Sequence, residues 1–137
     1  MTAVTDLLQS LIELDVDREA KAAIGRTKSS ILDLNREQLL HGMRADKTQM
    51  PDYSYLSVTM FGKTPGPIVL YDTGAFQSSF QLDVDASEFE ILADDVHGLE
   101  DRYGEEIYGL TPSSQEYYNQ EIYFPELMTA VEELTGL

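Results

Sequence analysis

Ile68-Val69-Leu70-Tyr71-Asp72-Thr73-Gly74-Ala75-Phe76-Gln77-Ser78-Ser79-Phe80 runs into Gln81-Leu82-Asp83-Val84-Asp85 and, past Ala86 and Ser87, into Glu88-Phe89-Glu90-Ile91-Leu92-Ala93. Phe80, Leu82 and Val84 alternate with polar residues, as do Phe89 and Ile91, which is the period-2 pattern of a half-buried strand. Three strands are expected: Ile68 to Tyr71, Ser78 to Asp85 and Glu88 to Ala93, with Asp85-Ala86-Ser87 as a hairpin turn. Asp72-Thr73-Gly74 reads as a turn, because Asp and Thr side chains accept backbone amides and Gly takes positive φ. Phe76 and Phe80, four residues apart, are placed to share one face as a short helical turn passes into the next strand.

The flanks of this segment read as helix. Before it, Leu7, Leu8, Leu11, Ile12 and Leu14 recur at helical spacing in a segment from Thr5 to Leu14. A second helical stretch begins near Asp17 and carries Ala20, Ala22, Ala23 and Ile24 into Gly25, and a third runs from about Ser29 to a stop at Gly42. Between 43 and 67, Pro51, Gly62, Pro65, Gly66 and Pro67 punctuate the chain, and an extended arm with one short strand is expected. After Gly98 the texture is helical or irregular. Thr111-Pro112 opens a last helical region that Pro125 should restart at Glu126, and Leu127, Val131 and Leu134 give its end an apolar face. The expectation is one α+β domain over residues 1–137: a helical part to 42, an arm to 67, then a small, mainly antiparallel sheet with C-terminal helices.

A chain of 137 residues is long enough to bury its own core, and 25% charged residues with a net charge of −16 keep its surface soluble. Zero cysteines exclude disulfides, thiolate metal sites and cysteine nucleophiles. No apolar run reaches membrane-spanning length and the first residues lack a signal-peptide pattern, so a cytoplasmic origin without membrane contact is expected. The charge is uneven: residues 1–63 carry a net −1, whereas residues 64–137 carry −15 with Arg102 as their one Lys or Arg. Such a field repels phosphate backbones, and sequence-specific nucleic-acid binding is not expected.

Tyr71-Asp72-Thr73-Gly74-Ala75 after an apolar strand resembles the active-site loop of retroviral-type aspartic proteases, in which two such loops meet across a dimer axis and two carboxylates share one proton. Asp72 would be the acid/base. That chemistry also needs a Gly-rich flap downstream, yet no Gly lies between Gly74 and Gly98, and Ile107-Tyr108-Gly109 follows too closely to leave room for it. The favoured reading is therefore not an enzyme, with the homodimeric Asp72 protease as the alternative. Asp83-Val84-Asp85-Ala86-Ser87-Glu88 lacks the Gly of a calcium loop. Asp94, Asp95 and His97 fit a solvated turn better than an ion site, and no metal or cofactor is expected. Tyr103, Tyr108, Tyr117, Tyr118 and Tyr123 suit either a binding face or partial burial under the last helix.

A second resemblance covers more of the chain. Gln38-Leu39-Leu40-His41-Gly42, then Ala45-Asp46, Pro51-Asp52-Tyr53, Lys63, and Leu70 through Phe80, followed by a hairpin, Tyr103-Gly104 and Ile107-Tyr108-Gly109-Leu110, stand in an order and spacing that resemble the virion-morphogenesis or tail-completion proteins of tailed bacteriophages. The likeness spans roughly residues 29–137. It implies a structural virion component, made in the host cytoplasm, that joins head to tail as an oligomeric ring with other connector or tail proteins. Asp72, Thr73, Gly74, Phe76, Ser79 and Phe80 would then shape the domain rather than perform chemistry. Two departures stand out: Lys47 follows Asp46 where the family pattern has Gly, and the basic residues many members carry around the turn are absent. An acidic C-terminal half would suit a channel wall past which DNA slides without sticking.

Overall fold

The computed structural model describes residues 2–71, 74–85 and 88–135. The side chains of residues 2, 3, 10, 11, 13–15, 134 and 135 lie outside that description. Helices occupy both ends, and a two-stranded antiparallel sheet lies between them, the α+β class expected.

The first helix, α1 (Thr2–Arg26), is continuous where two segments were expected. Nothing between Leu14 and Asp17 is a helix breaker, and Gly25 sits inside the last turn without ending it. Thr27 makes the corner into α2 (Lys28–Leu40). Its hydroxyl donates to the Ala23 carbonyl at 2.8 Å and meets the Tyr118 hydroxyl at 2.7 Å, which leaves Tyr118 as the donor of that second bond. Gly42, with φ +71°, then ends the helical part; a Cβ there would lie 2.3 Å from the Cβ of Pro67. A side chain at 42 is thus excluded by both backbone and packing.

The arm departs from its expected extended form, because it carries a helix, α3 (Tyr55–Phe61). Ser54 caps it by accepting the Ser57 amide at 3.1 Å, and Gly62 closes it in the left-handed region. Its prolines and glycines flank the helix instead of interrupting it. The arm is pinched at its root by the Asp52↔Pro67 bridge and by the Ile68 amide on the Pro51 carbonyl.

The strand expected at Ile68 to Tyr71 does not form. Leu70, buried in the core, has φ +54°, which breaks an extended run. The backbone of Val69 is satisfied by side chains instead: its amide by the Tyr53 hydroxyl at 3.3 Å and its carbonyl by the Gln77 side-chain amide at 3.1 Å. After α4 (Ala75–Ser78), β1 (Gln81–Asp85) pairs with β2 (Glu88–Leu92) in the register Leu82↔Ile91 and Val84↔Phe89. The sheet is therefore this hairpin alone among the described residues, and Ser78 belongs to the helical turn. Ala86 and Ser87, read as part of the hairpin turn, lie outside the described residues.

Asp95 caps α5 (Leu99–Tyr103) by accepting the Leu99 and Glu100 amides at 2.7 and 2.9 Å. A 3₁₀ turn at Glu105–Ile107 follows. The last helical region opens as expected, with Thr111 capping α6 (Pro112–Tyr117). Pro125 does not restart it: a π turn, Tyr118–Tyr123, joins α6 directly to α7 (Phe124–Thr135). The wide turn absorbs the register mismatch made by a proline that lacks an amide. Ile24, Ile31, Leu39, Phe80, Ile91 and Tyr118 form one core drawn from α1, α2, the hairpin and the last helices.

Candidate functional site

Asp72 and Thr73 lie outside the described residues, so the site begins at Gly74. It is buried, has φ +83°, and a Cβ on it would sit 2.8 Å from the Tyr71 hydroxyl. The chain turns there into α4. Phe76 and Phe80 meet edge to face, with ring centres 5.2 Å apart, and Tyr108 packs on both. Ser79 donates to the Phe76 carbonyl at 2.6 Å and accepts the Asp94 amide at 2.9 Å, tying the end of α4 to the end of the hairpin. Arg36 of α2 donates to the Gln77 carbonyl at 2.8 Å and lies over the Phe80 ring. The turn is thus anchored to α2, to the hairpin and to Tyr108.

The β1–β2 hairpin packs Leu82, Val84, Phe89 and Ile91 against the core. Among the described residues no group of three or more His, Asp or Glu is placed to hold a metal ion, and no helix is long and apolar enough to cross a membrane.

Two residues with no assigned role in the sequence reading hold the body together. Asn35 and Gln38, one turn apart on the inner face of α2, clamp the Ile107–Thr111 segment. Asn35 donates to the Ile107 carbonyl at 3.1 Å and accepts the Gly109 amide at 3.0 Å. Gln38 donates to the Gly109 carbonyl at 3.0 Å and accepts the Thr111 amide at 2.9 Å. The two side-chain amides satisfy the backbone as a neighbouring strand would. The available signal was an Asn on the same helical face as Ile31, Leu32 and Leu39.

Arg44 pins the start of the arm, donating to the carbonyls of Gln49 at 2.8 Å and Tyr103 at 2.9 Å. Hydrogen bonds from the Thr48 hydroxyl and amide hold the Asp46 carboxyl below its usual range. Lys47 has φ +71°. The position where the family pattern has Gly is therefore one whose backbone favours Gly. Tyr118 and Thr111 are buried, Tyr103, Tyr108 and Tyr123 are half-buried, and Tyr117 is outside; burial accounts for most of the tyrosines. Burial, and then the charges of Asp95 and Glu100, push the Tyr108 hydroxyl up to about 12.

Three surface features remain. Val4, Leu7, Leu8, Ile12 and Val16 form an exposed apolar stripe on the first half of α1. At about 100° per residue, that stripe lies roughly 120° around the helix from the buried Ala20, Ala23 and Ile24. Arg26 pairs with Glu126 at 2.7 Å, and Glu19 lines the same groove as Glu133, so α1 and α7 run antiparallel. The residues of α1 before Asp17 extend past the described end of α7 by about 22 Å at 1.5 Å per residue.

The second feature is α3, on which Tyr55 is 83% and Phe61 73% exposed, with Leu56 and Met60 beside them. The third is a cleft of about 520 Å³ at the root of α3, floored by Leu70, Phe76 and Leu99 and rimmed by Lys63, His97 and Arg102. None of its described lining residues is acidic. In contrast, Glu90, Asp95, Glu100, Glu105 and Glu106 crowd a separate hollow next to Tyr108. No family model matches the chain, and no curated protein or solved structure matches it.

Proposed function

We propose that this chain is a structural component of a tailed-phage virion, a tail-completion or head-to-tail connector protein that works as an oligomeric ring. The observation that carries the assembly role is the exposed apolar residues on the first half of α1 and on α3. A lone exposed leucine is ordinary, but two helices that each turn a row of large apolar side chains to water mark contact surfaces. The position within a virion rests on the resemblance of Leu70 through Phe80 and its flanks. In that reading Gly74, Phe76, Ser79 and Phe80 key the arm and hairpin onto α2, and so set the angle at which α3 stands out. Glu105, exposed, and Glu106, half-buried, line the hollow beside Tyr108 with other acidic groups, a surface that repels a phosphate backbone. Partners are other copies and neighbouring virion proteins, with no role for membrane or for sequence-specific nucleic acid.

Negative-stain imaging of the concentrated protein tests this. Annular particles of uniform diameter are expected. Particles of monomer size at every concentration, together with absence of the chain from purified virions, would overturn the reading.

A further inference from the structure

We propose that the outer edge of β2 takes on a third strand from a partner protein, an extended segment in which Lys or Arg alternates with apolar residues. This inference is independent of the ring reading. The hairpin has two strands, and an antiparallel ladder uses the amide and carbonyl of only every second residue. The remaining residues of β2 turn theirs outward, and among the described residues no backbone hydrogen bond joins β2 to any element but β1. On its other side the hairpin meets α1 and α2 through β1. The free edge runs along the hollow beside Tyr108, whose lining takes in Phe89 through Ala93 in sequence and no residue of β1. At 3.3 Å per residue this is about 16 Å of unpaired edge. Such an edge accepts an extended backbone.

The lining fixes the chemistry of the occupant. Glu90, Asp95, Glu100, Glu105 and Glu106 stand along it with no Lys or Arg, and among the described residues none of the five is in an ion pair. Among the described residues no three acidic groups converge closely enough to hold a metal ion, so the five suit charges spread along a chain better than a single cation. Ile91, Ala93 and Tyr108 lie among them and offer apolar contact. A strand turns alternate side chains to opposite faces, hence the alternation of basic and apolar residues in the segment that fits. A second copy is the wrong occupant. β2 laid against β2 would bring Glu88 and Glu90 of one copy beside those of the other, and like charges across paired strands destabilise the pairing. The same carboxylates thus keep the edge from pairing with itself and leave it open to a basic segment.

A labelled peptide of alternating Lys and Val, titrated with the full-length chain and followed by fluorescence anisotropy, tests this. Binding is expected, and replacement of Lys by Glu should abolish it. Two further peptides carry N-methyl groups on the Lys amides or on the Val amides. One of them should bind on the order of tenfold more weakly, because a strand pairs along one edge and a methylated amide cannot enter the ladder. Glu90→Gln with Glu105→Gln and Glu106→Gln, in a chain whose melt is unchanged, should weaken binding on the order of tenfold at low salt. Hydrogen exchange of the outward amides of β2 should slow when the peptide is bound. Binding indifferent to both methylated forms would reduce the contact to charge attraction and overturn the proposal, as would absence of binding at millimolar peptide. Protection of the same amides in the concentrated chain without peptide would assign the edge to a second copy and overturn it equally.

Discussion

α2 and the first half of α1 carry the same kind of amphipathic pattern and meet opposite fates. On α2 the apolar face closes over Ile31, Leu32 and Leu39, and Asn35 and Gln38 beside them are consumed by the backbone of Ile107–Thr111. On α1 the stripe from Val4 to Val16 faces water. Periodicity shows that a helix has an apolar side; it does not show whether the same chain covers that side. What separates the two is the remote segment that α2 grips, while the described apolar side chains of the first half of α1 stay exposed.

The grip is the place to break this contrast most severely. Asn35→Leu leaves the Ile107 carbonyl and Gly109 amide buried without partners, and chemical denaturation should register a loss of about 3 kcal/mol. An effect under 1 kcal/mol would mean that the clamp is incidental. Alkali offers a weaker lever on the same region. The Tyr108 hydroxyl is raised to about 12 in the folded protein, so its neutral form favours the fold. That contribution is complete below the unfolded value near 10 and is lost as pH rises toward 12. After discounting for its partial exposure, about 1 kcal/mol should disappear over that window, and Tyr108→Phe should lessen the dependence in melts taken from pH 9 to 12, leaving the part due to Tyr118 and Tyr123, which burial also raises.

Smaller still is Lys47→Gly. A non-glycine residue at φ +71° carries about 1 kcal/mol of strain, partly offset by the entropy of glycine. A gain of about 0.5 kcal/mol in urea unfolding is expected, and a loss would show that Lys47 makes a contact that outweighs the strain. The smallest effect belongs to the exposed stripe. Leu7→Gln, Leu8→Gln and Ile12→Gln combined should shift unfolding of the isolated chain by less than about 0.5 kcal/mol, since each of these side chains is more than half exposed.

Much of the architecture was legible because it rests on local pattern. Alternation of Leu82 and Val84 with Phe89 and Ile91 marked the hairpin, Thr111-Pro112 marked the start of α6, and Gly74 marked a turn. Features that depend on distant partners were not legible. Ile68 to Tyr71 looks like a strand until Leu70 is driven into the core at positive φ and Val69 finds its partners in the Tyr53 and Gln77 side chains. α3 was hidden by the prolines and glycines around it, although Ser54 and Gly62 are ordinary cap residues for its two ends. The cleft was invisible because Lys63, His97 and Arg102 are brought together only by the fold.

The most direct test of the central claim, that the exposed helices are contact surfaces of an assembly, is the native mass by light scattering for the wild-type chain and for the Leu7→Gln, Leu8→Gln, Ile12→Gln variant. The wild type should show a multiple of 15.4 kDa, and the variant should fall to a folded monomer with an unchanged melt. A wild type that stays monomeric at all concentrations, or a variant that assembles as the wild type does, would contradict the account.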